Sequence, residues 1–157
     1  MVYFKRVSLP PSEKQKLENA IRKVALKRLH ALDFESSVTD IGTDKLFLGL
    51  EDKVDVKFTR LRTSLEKYFP KFIISIPREE TVNEYKLRYS LLSTIVFIAL
   101  VLTLPLTIYA TAMQNTGYES ILFSLAVIAV YLLLSLFELR IINRKIKKAV
   151  KLSLTTK

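Results

Sequence analysis

The sequence predicts an α+β N-terminal domain followed by an all-α hairpin of two transmembrane helices. The stretch from Tyr89 to Phe137 contains one charged residue, Glu119, whereas the rest of the 157-residue chain is dense in charge. Short strand-like runs and helical periodicity alternate before that stretch. A basic cluster follows it, in a chain whose formal net charge is +10 at pH 7. A change in composition of this kind marks a boundary between a soluble and a membrane segment.

The N-terminal domain, residues 1–77, begins with a predicted strand and a long helix. Strand-forming residues from Val2 to Leu9 are followed by two prolines, which end a strand. Ser12 suits the N-cap of a helix over about residues 13–33, and Gln15 would complete a capping box. The apolar residues at helical spacing in this segment are Leu17, Ala20, Ile21, Val24, Ala25 and Leu32.

The sequence of the next part of the domain predicts a β-hairpin, and a later segment predicts a buried strand. Residues 37–41 and 45–50 are rich in strand formers, and the Gly-Thr-Asp sequence at 42–44 suits the turn between them. A continuous apolar run at residues 71–76 ends at a proline. This run predicts a buried strand that closes the domain.

The segment between the hairpin and the last strand is ambiguous. Val54, Val56 and Phe58 alternate as in a strand, whereas five apolar residues between 54 and 68 follow helical spacing. The larger number of matches favours a helix that ends before Pro70. The predicted order is therefore β-α-β-β-α-β, the ferredoxin-like or split βαβ arrangement.

Two apolar stretches predict the membrane hairpin, at residues 89–113 and 120–138; the first is uncharged, and the second is uncharged up to its last residue, Glu138. About 20 apolar residues in a helix cross the hydrocarbon core of a bilayer. The short external loop at 114–119 has no Lys or Arg, whereas basic residues flank the other ends of both spans. The positive-inside rule then predicts a two-pass protein of the cell membrane with both termini in the cytosol. Residues 78–88 are expected to form a helical linker between domain and membrane.

Small side chains recur at every fourth position of the first span. Ala99, Thr103, Thr107 and Thr111 form a strip along one helix face, which allows a second helix to approach closely. This pattern predicts a helix-packing seam, within the hairpin or between protomers. The alternative is that Ala and Thr are tolerated in lipid, with Thr hydroxyls bonded to backbone carbonyls.

The segment after the second span, residues 139–157, predicts a basic amphipathic helix in the cytosol. Its basic side carries Arg140, Arg144, Lys147, Lys148 and Lys151. These residues are expected to contact anionic lipid headgroups, at ~1 kcal/mol per basic residue near the surface. Alternatively, the apolar side of the helix packs on the N-terminal domain.

Two further charged clusters have open interpretations. Lys16, Lys23, Lys27 and His30 lie on the polar side of the first predicted helix, where they could face anionic lipid, nucleic acid, an acidic partner or only solvent. Three carboxylates precede the first span. In a ring-shaped homo-oligomer these would form an acidic vestibule for cations, and otherwise they only offset neighbouring cations. The three carboxylates are Glu79, Glu80 and Glu84.

The composition predicts no catalytic, cofactor or metal site. The chain has no Cys, one His and three Gly, so thiolate chemistry, a His-based triad and a glycine-rich phosphate loop lack their residues. We therefore expect a non-enzymatic accessory, scaffold or regulatory subunit, whose cytosolic domain mediates protein interaction or self-association. The alternative is a homo-oligomeric ion channel built from the hairpin. The expected partners are anionic lipid and a homo-oligomer or larger membrane complex, and nucleic acid is not expected.

Overall fold

The N-terminal domain is built on a six-stranded sheet, seen in a computed structural model that describes residues 3–27, 31–33, 37, 44–79, 81–114 and 118–155. The elements in chain order are β1 (Tyr3–Ser8), α1 (Pro11–Lys23), β2 (Ala25–Lys27), β3 (Phe47–Glu51), β4 (Asp55–Arg60), a 3₁₀ turn (Ser64–Tyr68), β5 (Phe72–Pro77), β6 (Glu84–Tyr89), α2 (Leu91–Gln114) and α3 (Glu119–Thr155). The predicted strands at the start of the chain and before Pro77 are confirmed as β1 and β5.

The strand order across the sheet is β1-β6-β5-β4-β3-β2. All neighbouring strands are antiparallel except β2 and β3, which are parallel. Helix α1 connects β1 at one edge with β2 at the other, so the chain between them must cross the sheet. The two edge strands are therefore brought into position by one helix.

One face of the sheet is covered by α1 and by the last third of α3. Because side chains alternate along a strand, every second residue of β3 to β6 points to this face. The buried residues of this core are Leu17, Ile21, Phe47, Val56, Phe58, Phe72, Ile74, Ile76, Tyr85, Leu87, Tyr89, Leu139, Ile142, Ile146 and Ala149. A Cβ on Gly49 would lie 3.0 Å from the Phe58 ring, so this position accepts only glycine without displacement of the ring.

The opposite face carries a smaller apolar cluster of Leu32, Leu48, Leu61 and Ile73. The Lys71 ammonium donates a hydrogen bond to the backbone carbonyl of Leu32, which fixes the short described segment 31–33 against this face. The faces thus differ: one is covered by two helices, and the other is covered in part by an irregular segment.

Helices α2 and α3 form an antiparallel pair beyond the sheet, and each is long and apolar enough to cross a membrane. Most of the large apolar side chains of α2, and of α3 before Glu138, are exposed, for example Leu106, Phe123 and Leu133. This arrangement is consistent with a two-pass membrane protein, and it confirms that both predicted spans are helical. Helix α2 continues through Pro105.

The predicted helix over residues 54–68 is wrong, and the ferredoxin-like order is not confirmed. Residues Asp55–Arg60 form β4, and only Ser64–Tyr68 are helical, as a 3₁₀ turn. Val56 and Phe58 enter the core by strand alternation, whereas Leu65 and Tyr68, which suggested the helix, are 88% and 76% exposed. Burial between sheet neighbours therefore outweighed the helical spacing.

Other boundaries also differ from the prediction. Helix α1 ends at Lys23, ten residues before the predicted end, because the next apolar residues form β2. The helix begins at Pro11 instead of Glu13. Its N-cap is Pro10 instead of Ser12. The antiparallel partner of β3 is β4 and not the predicted arm at residues 37–41. Of that arm, only Ser37 lies within the described residues, and it is not part of a strand. The predicted helical linker contains β6, which is held between β1 and β5.

Candidate functional site

The most highly charged buried site lies where α3 leaves its apolar segment and meets the sheet. Glu138 of α3 accepts two hydrogen bonds from Arg60 of β4, from Nε at 3.0 Å and from Nη2 at 2.6 Å. Each of the two side chains is 1% exposed. A guanidinium and a carboxylate in this two-point geometry form one of the strongest charge-assisted contacts in proteins.

Arg62 extends the same contact. Its Nη2 donates to Glu138 at 3.3 Å and to the Pro70 carbonyl at 2.8 Å, and its Nη1 donates to the Phe69 carbonyl at 2.8 Å. Arg60 and Arg62 follow Val56 and Phe58 at every second position, so strand alternation turns both toward the helix-covered face. A buried carboxylate is therefore held by two residues of a neighbouring chain segment.

Two more charged residues complete what we call the junction cluster, which comprises Arg60, Arg62, Glu66, Glu138 and Lys145. Glu66 accepts a 2.7 Å hydrogen bond from Arg60 Nη1, and a capping box with Thr63 fixes its position at the start of the 3₁₀ turn. Lys145 of α3 donates to the Leu61 carbonyl at 3.1 Å. The cluster thus ties α3 to β4 and to the segment that follows β4.

Positive charge exceeds negative charge in the junction cluster. Burial lowers the pKa of Arg62 and of Lys145, because the charged forms lose water. Burial is also the largest single influence on the pKa of Arg60, but the hydrogen bonds and negative charges of Glu138 and Glu66 together outweigh it and raise that pKa. Among the described atoms, Arg62 Nε has no hydrogen-bond acceptor. Glu138 is therefore the group that makes burial of the two guanidinium groups tolerable.

A second set of contacts joins the sheet to the start of α2. Only Ser90 separates β6 from α2, so the strand leads directly into the helix. Asp33 accepts 2.8 Å and 3.0 Å hydrogen bonds from Arg88 and a 2.9 Å bond from the Leu91 backbone N–H. The hydrogen bond from Arg88 is the main cause of a lowered pKa at Asp33. A carboxylate at a helix N-terminus also stabilises the helix dipole.

Aromatic and hydroxyl groups connect the two helices above the sheet. Tyr89 donates to Ser135 of α3 at 2.8 Å, and Tyr131 of α3 donates to the Ser93 carbonyl of α2 at 2.8 Å. The rings of Tyr89, Phe97 and Tyr131 form a triangle of mutual contacts, with centroid distances of 6.1 Å, 5.9 Å and 6.3 Å. Together with the junction cluster, these contacts join the sheet to both helices of the hairpin.

The predicted seam is only partly at the contact between α2 and α3. Thr111 is buried and its hydroxyl lies 3.0 Å from that of Ser120, and Thr107 is half-buried. Ala99 and Thr103 are exposed. The hydroxyls of Thr103 and Thr107 donate to backbone carbonyls of their own helix, as the alternative interpretation expected.

The basic segment after the second span packs on the sheet, which is the second of the two arrangements considered. Ile142, Ile146 and Ala149 are buried there, and the five predicted lipid-contact residues are exposed. At ~1.5 Å per residue, Lys151 lies about 20 Å along the helix from Glu138. A headgroup layer is only about 5–8 Å thick. In a bilayer whose headgroup layer began at Glu138, Arg140 and Arg144 would lie about 3 Å and 9 Å along the helix, and Lys147, Lys148 and Lys151 about 14–20 Å, beyond the layer.

The predicted acidic vestibule is not next to the hairpin. Glu84 begins β6, and six residues of extended chain place it about 20 Å from the start of α2. It forms a 3.2 Å salt bridge with Lys86, and Glu79 lies at the same distal end of the sheet, where it accepts a hydrogen bond from Thr81. Glu80 and His30 lie outside the described residues.

Sequence reasoning missed Arg60, Arg62 and Lys145. A usable signal was present, because charged residues that continue the inward positions of an alternating strand require a partner. Glu138, the last residue of the predicted second span, is the only acidic residue after Phe137. Its partners are Arg60 of β4 and Arg62, which lies two residues further along the chain.

The described part of the chain contains no group of three or more His, Cys, Asp or Glu residues that could hold a metal ion. Comparison of the chain with models of known protein families, with curated proteins and with solved structures finds no match.

Proposed function

We propose that this chain is a non-enzymatic accessory or scaffold subunit of the cell membrane. Its sheet domain lies in the cytosol in a fixed orientation relative to the hairpin and binds a protein partner there. The observation that supports this proposal most strongly is the pairing of Glu138 with Arg60 and Arg62. A domain that only needs a membrane anchor can be linked by a flexible segment, whereas this one shares its core with the helix that leaves the membrane.

The proposed topology rests on charge and on chain path. The loop at 114–119 lacks Lys and Arg, and basic residues flank the sheet-proximal ends of both helices. In addition, β6 enters α2 directly and the last part of α3 returns to the same sheet. A single cytosolic domain next to both inner helix ends satisfies both observations. Arg140 and Arg144 are the residues that would contact anionic headgroups.

The channel alternative has less support. It requires a ring of carboxylates at the mouth of a pore, but Glu79 and Glu84 lie at the end of the sheet that is distant from α2. In the described helices, no charged side chain lies between Leu91 and Met113 or between Ser120 and Phe137. Self-association of the hairpin through the exposed Ala99–Thr103 face remains compatible with a scaffold role.

Native mass spectrometry of the full chain, extracted from its own membrane in mild detergent, tests the proposal. The expected particle contains this chain and a second protein of different sequence. In the variant Glu138→Gln, the second protein is expected to be missing from the particle. A ring of identical chains that conducts ions in planar bilayers would support the channel instead. A monomer without any partner protein would contradict the scaffold role.

The topology is tested by single-cysteine labelling. Because the chain has no Cys, only the introduced thiol can react with the label. In intact cells, Tyr118→Cys is expected to react with a membrane-impermeant maleimide. Lys53→Cys and Lys148→Cys are expected to react only after permeabilisation. Labelling of Lys53→Cys in intact cells would contradict the cytosolic position of the sheet domain.

A further inference from the structure

A groove of about 810 Å³ lies between α1 and the last part of α3. Its lining includes Lys5 of β1, Leu9 just after β1, and Tyr85 of β6, so the groove reaches the edge of the sheet that β1 and β6 form. The apolar lining residues are Leu9, Leu17, Ala20, Tyr85, Ile146, Val150 and Leu154. Leu154 is exposed and Leu9 and Val150 are half-buried, whereas the other four apolar lining residues are at most 9% exposed and form the base of the groove.

The walls of the groove have the length of a short helix. Helix α1 contributes residues from Glu13 to Lys23, and α3 contributes residues from Asn143 to Leu154. At ~1.5 Å per residue, each wall is about 15–17 Å long, or roughly three helical turns. Two helices with an apolar floor between them are the receptor geometry in which an amphipathic helix places its apolar face.

The rim of the groove is basic. Lys5, Lys16, Lys23 and Lys147 line it, all four are exposed, and Glu13 is the only acidic lining residue. Among the described residues, none of these four ammonium groups is paired with a carboxylate. The complementary ligand therefore has an apolar stripe flanked by negative charge.

We propose that this groove binds an acidic amphipathic helix of a cytosolic partner protein. The proposal rests on the scaffold function and specifies its docking site. A lipid chain is the less suitable occupant because of position. Asn143 and Leu154 lie about 8 Å and 24 Å along α3 from Glu138, where the helix leaves its apolar segment. A lipid would have to leave the bilayer almost completely to fill the groove.

Fluorescence anisotropy on the full chain in nanodiscs tests this assignment. The probes are labelled, hydrocarbon-stapled peptides of three to four turns that share one leucine face. Their flanking positions carry Glu, Gln or Lys. The Glu peptide is expected to bind at least tenfold more tightly than the Gln peptide. The Lys peptide is expected not to bind, and added salt is expected to weaken binding of the Glu peptide.

Charge reversal identifies the binding surface. The variant Lys16→Glu/Lys147→Glu reverses one lysine on each wall and is expected to lower affinity for the Glu peptide about tenfold or more. The control Lys53→Glu/Lys67→Glu has the same net charge, but its substitutions are exposed and outside the groove. This control is expected to bind the Glu peptide like the unmodified chain, and circular dichroism verifies the fold of both variants.

Three results would overturn the proposal: no binding of any peptide at about 100 µM, equal binding of the Glu and Lys peptides, or equal losses in the groove variant and the control. Binding of oleate in the groove without binding of the Glu peptide would also overturn it, in favour of a lipid. If the peptide assay fails but native particles still contain a second protein, only the groove assignment is wrong. If those particles contain no second protein, the scaffold function itself is wrong.

Discussion

The two parts of α3 have the same secondary structure and opposite surroundings. From Ser120 to Phe137, the helix exposes large apolar side chains, and Ser120, Tyr131 and Ser135 form hydrogen bonds with α2 or β6. From Glu138 to Thr155, it buries Ile142, Ile146 and Ala149 on the sheet and exposes its basic residues, except for the half-buried Lys145. The change occurs at Glu138, which enters the domain core as a paired charge. One helix therefore combines a segment that is long and apolar enough to cross a membrane with a segment that belongs to the core of the sheet domain.

The comparison shows what fixes the domain to the hairpin. An apolar contact alone would allow α3 to slide or rotate on the sheet, since burial of apolar area is not directional. The two-point contact between Arg60 and Glu138 has a fixed geometry, and so have the contacts of Asp33 at the start of α2. The cost of burying these charges is offset only in one arrangement of helix and sheet.

The largest expected effect is that of Glu138→Gln. The change leaves the guanidinium groups of Arg60 and Arg62 buried without their carboxylate, which costs roughly 3–5 kcal/mol. Thermal unfolding in detergent, followed by circular dichroism, measures the loss. Glu119→Gln is the matched control, because Glu119 is an exposed carboxylate at the other end of the same helix. Equal stability of the two variants would show that the junction cluster does not hold the domain.

The next effect distinguishes the two parts of α3 directly. Ile142 is 1% exposed and Leu133 is 64% exposed. Ile142→Ala is expected to lower the free energy of unfolding by roughly 2–5 kcal/mol, because it opens a cavity against the sheet. Leu133→Ala is expected to change it by less than about 1 kcal/mol. Equal losses would mean that both parts of α3 are packed alike.

A smaller, pH-dependent effect is expected at Asp33. Its pKa in the folded protein is below the ordinary value of 3.8. The ionised Asp33 carboxylate therefore contributes its full stabilisation of the folded state at pH values above 3.8. This contribution is lost as the pH falls below 3.8 toward the lower pKa of the folded state. Asp33→Asn removes the ion pair and weakens the cap, at about 1–2 kcal/mol near neutral pH. Melting temperatures at pH 7 and near pH 3 are expected to differ less in this variant than in the unmodified chain, and an unchanged difference would contradict the assignment.

The smallest effect concerns the seam of the hairpin. Thr111→Val removes the hydroxyl contact with Ser120, and about 0.6 kcal/mol is typical for a hydrogen bond between membrane helices. Thr103→Val is the control, because its hydroxyl is exposed and bonds within its own helix. The difference is measurable by forced or thermal unfolding of matched samples. A larger loss for Thr103→Val would place an oligomer contact on that face.

Sequence patterns predicted the parts of this protein that depend on local or average properties. The two long helices follow from uncharged length, and β1 and β5 follow from strand formers bounded by prolines. The strand β4 was predicted wrongly, because spacing alone cannot tell that Leu65 and Tyr68 remain in solvent. Helix α1 was extended into β2 for the same reason, since parallel pairing with β3 is a long-range contact.

The candidate site could be predicted only in part. The basic helix after the second span was recognised, and the groove lysines Lys16 and Lys23 were already grouped on one helix face. The pairing of Arg60 and Arg62 with Glu138 joins residues more than 70 positions apart, and no local pattern specifies such a partner. Strand alternation shows that these arginines point inward, but only the tertiary fold shows what they meet.

The fixed orientation of sheet domain and hairpin is tested most directly by a distance distribution between them. Spin labels at Lys53→Cys, on the turn between β3 and β4, and at Tyr118→Cys, at the far end of the hairpin, report on this distance by double electron–electron resonance in nanodiscs. A single narrow distribution is expected, which broadens in Glu138→Gln. A broad distribution in the otherwise unmodified chain would show a flexibly tethered domain and would contradict the account.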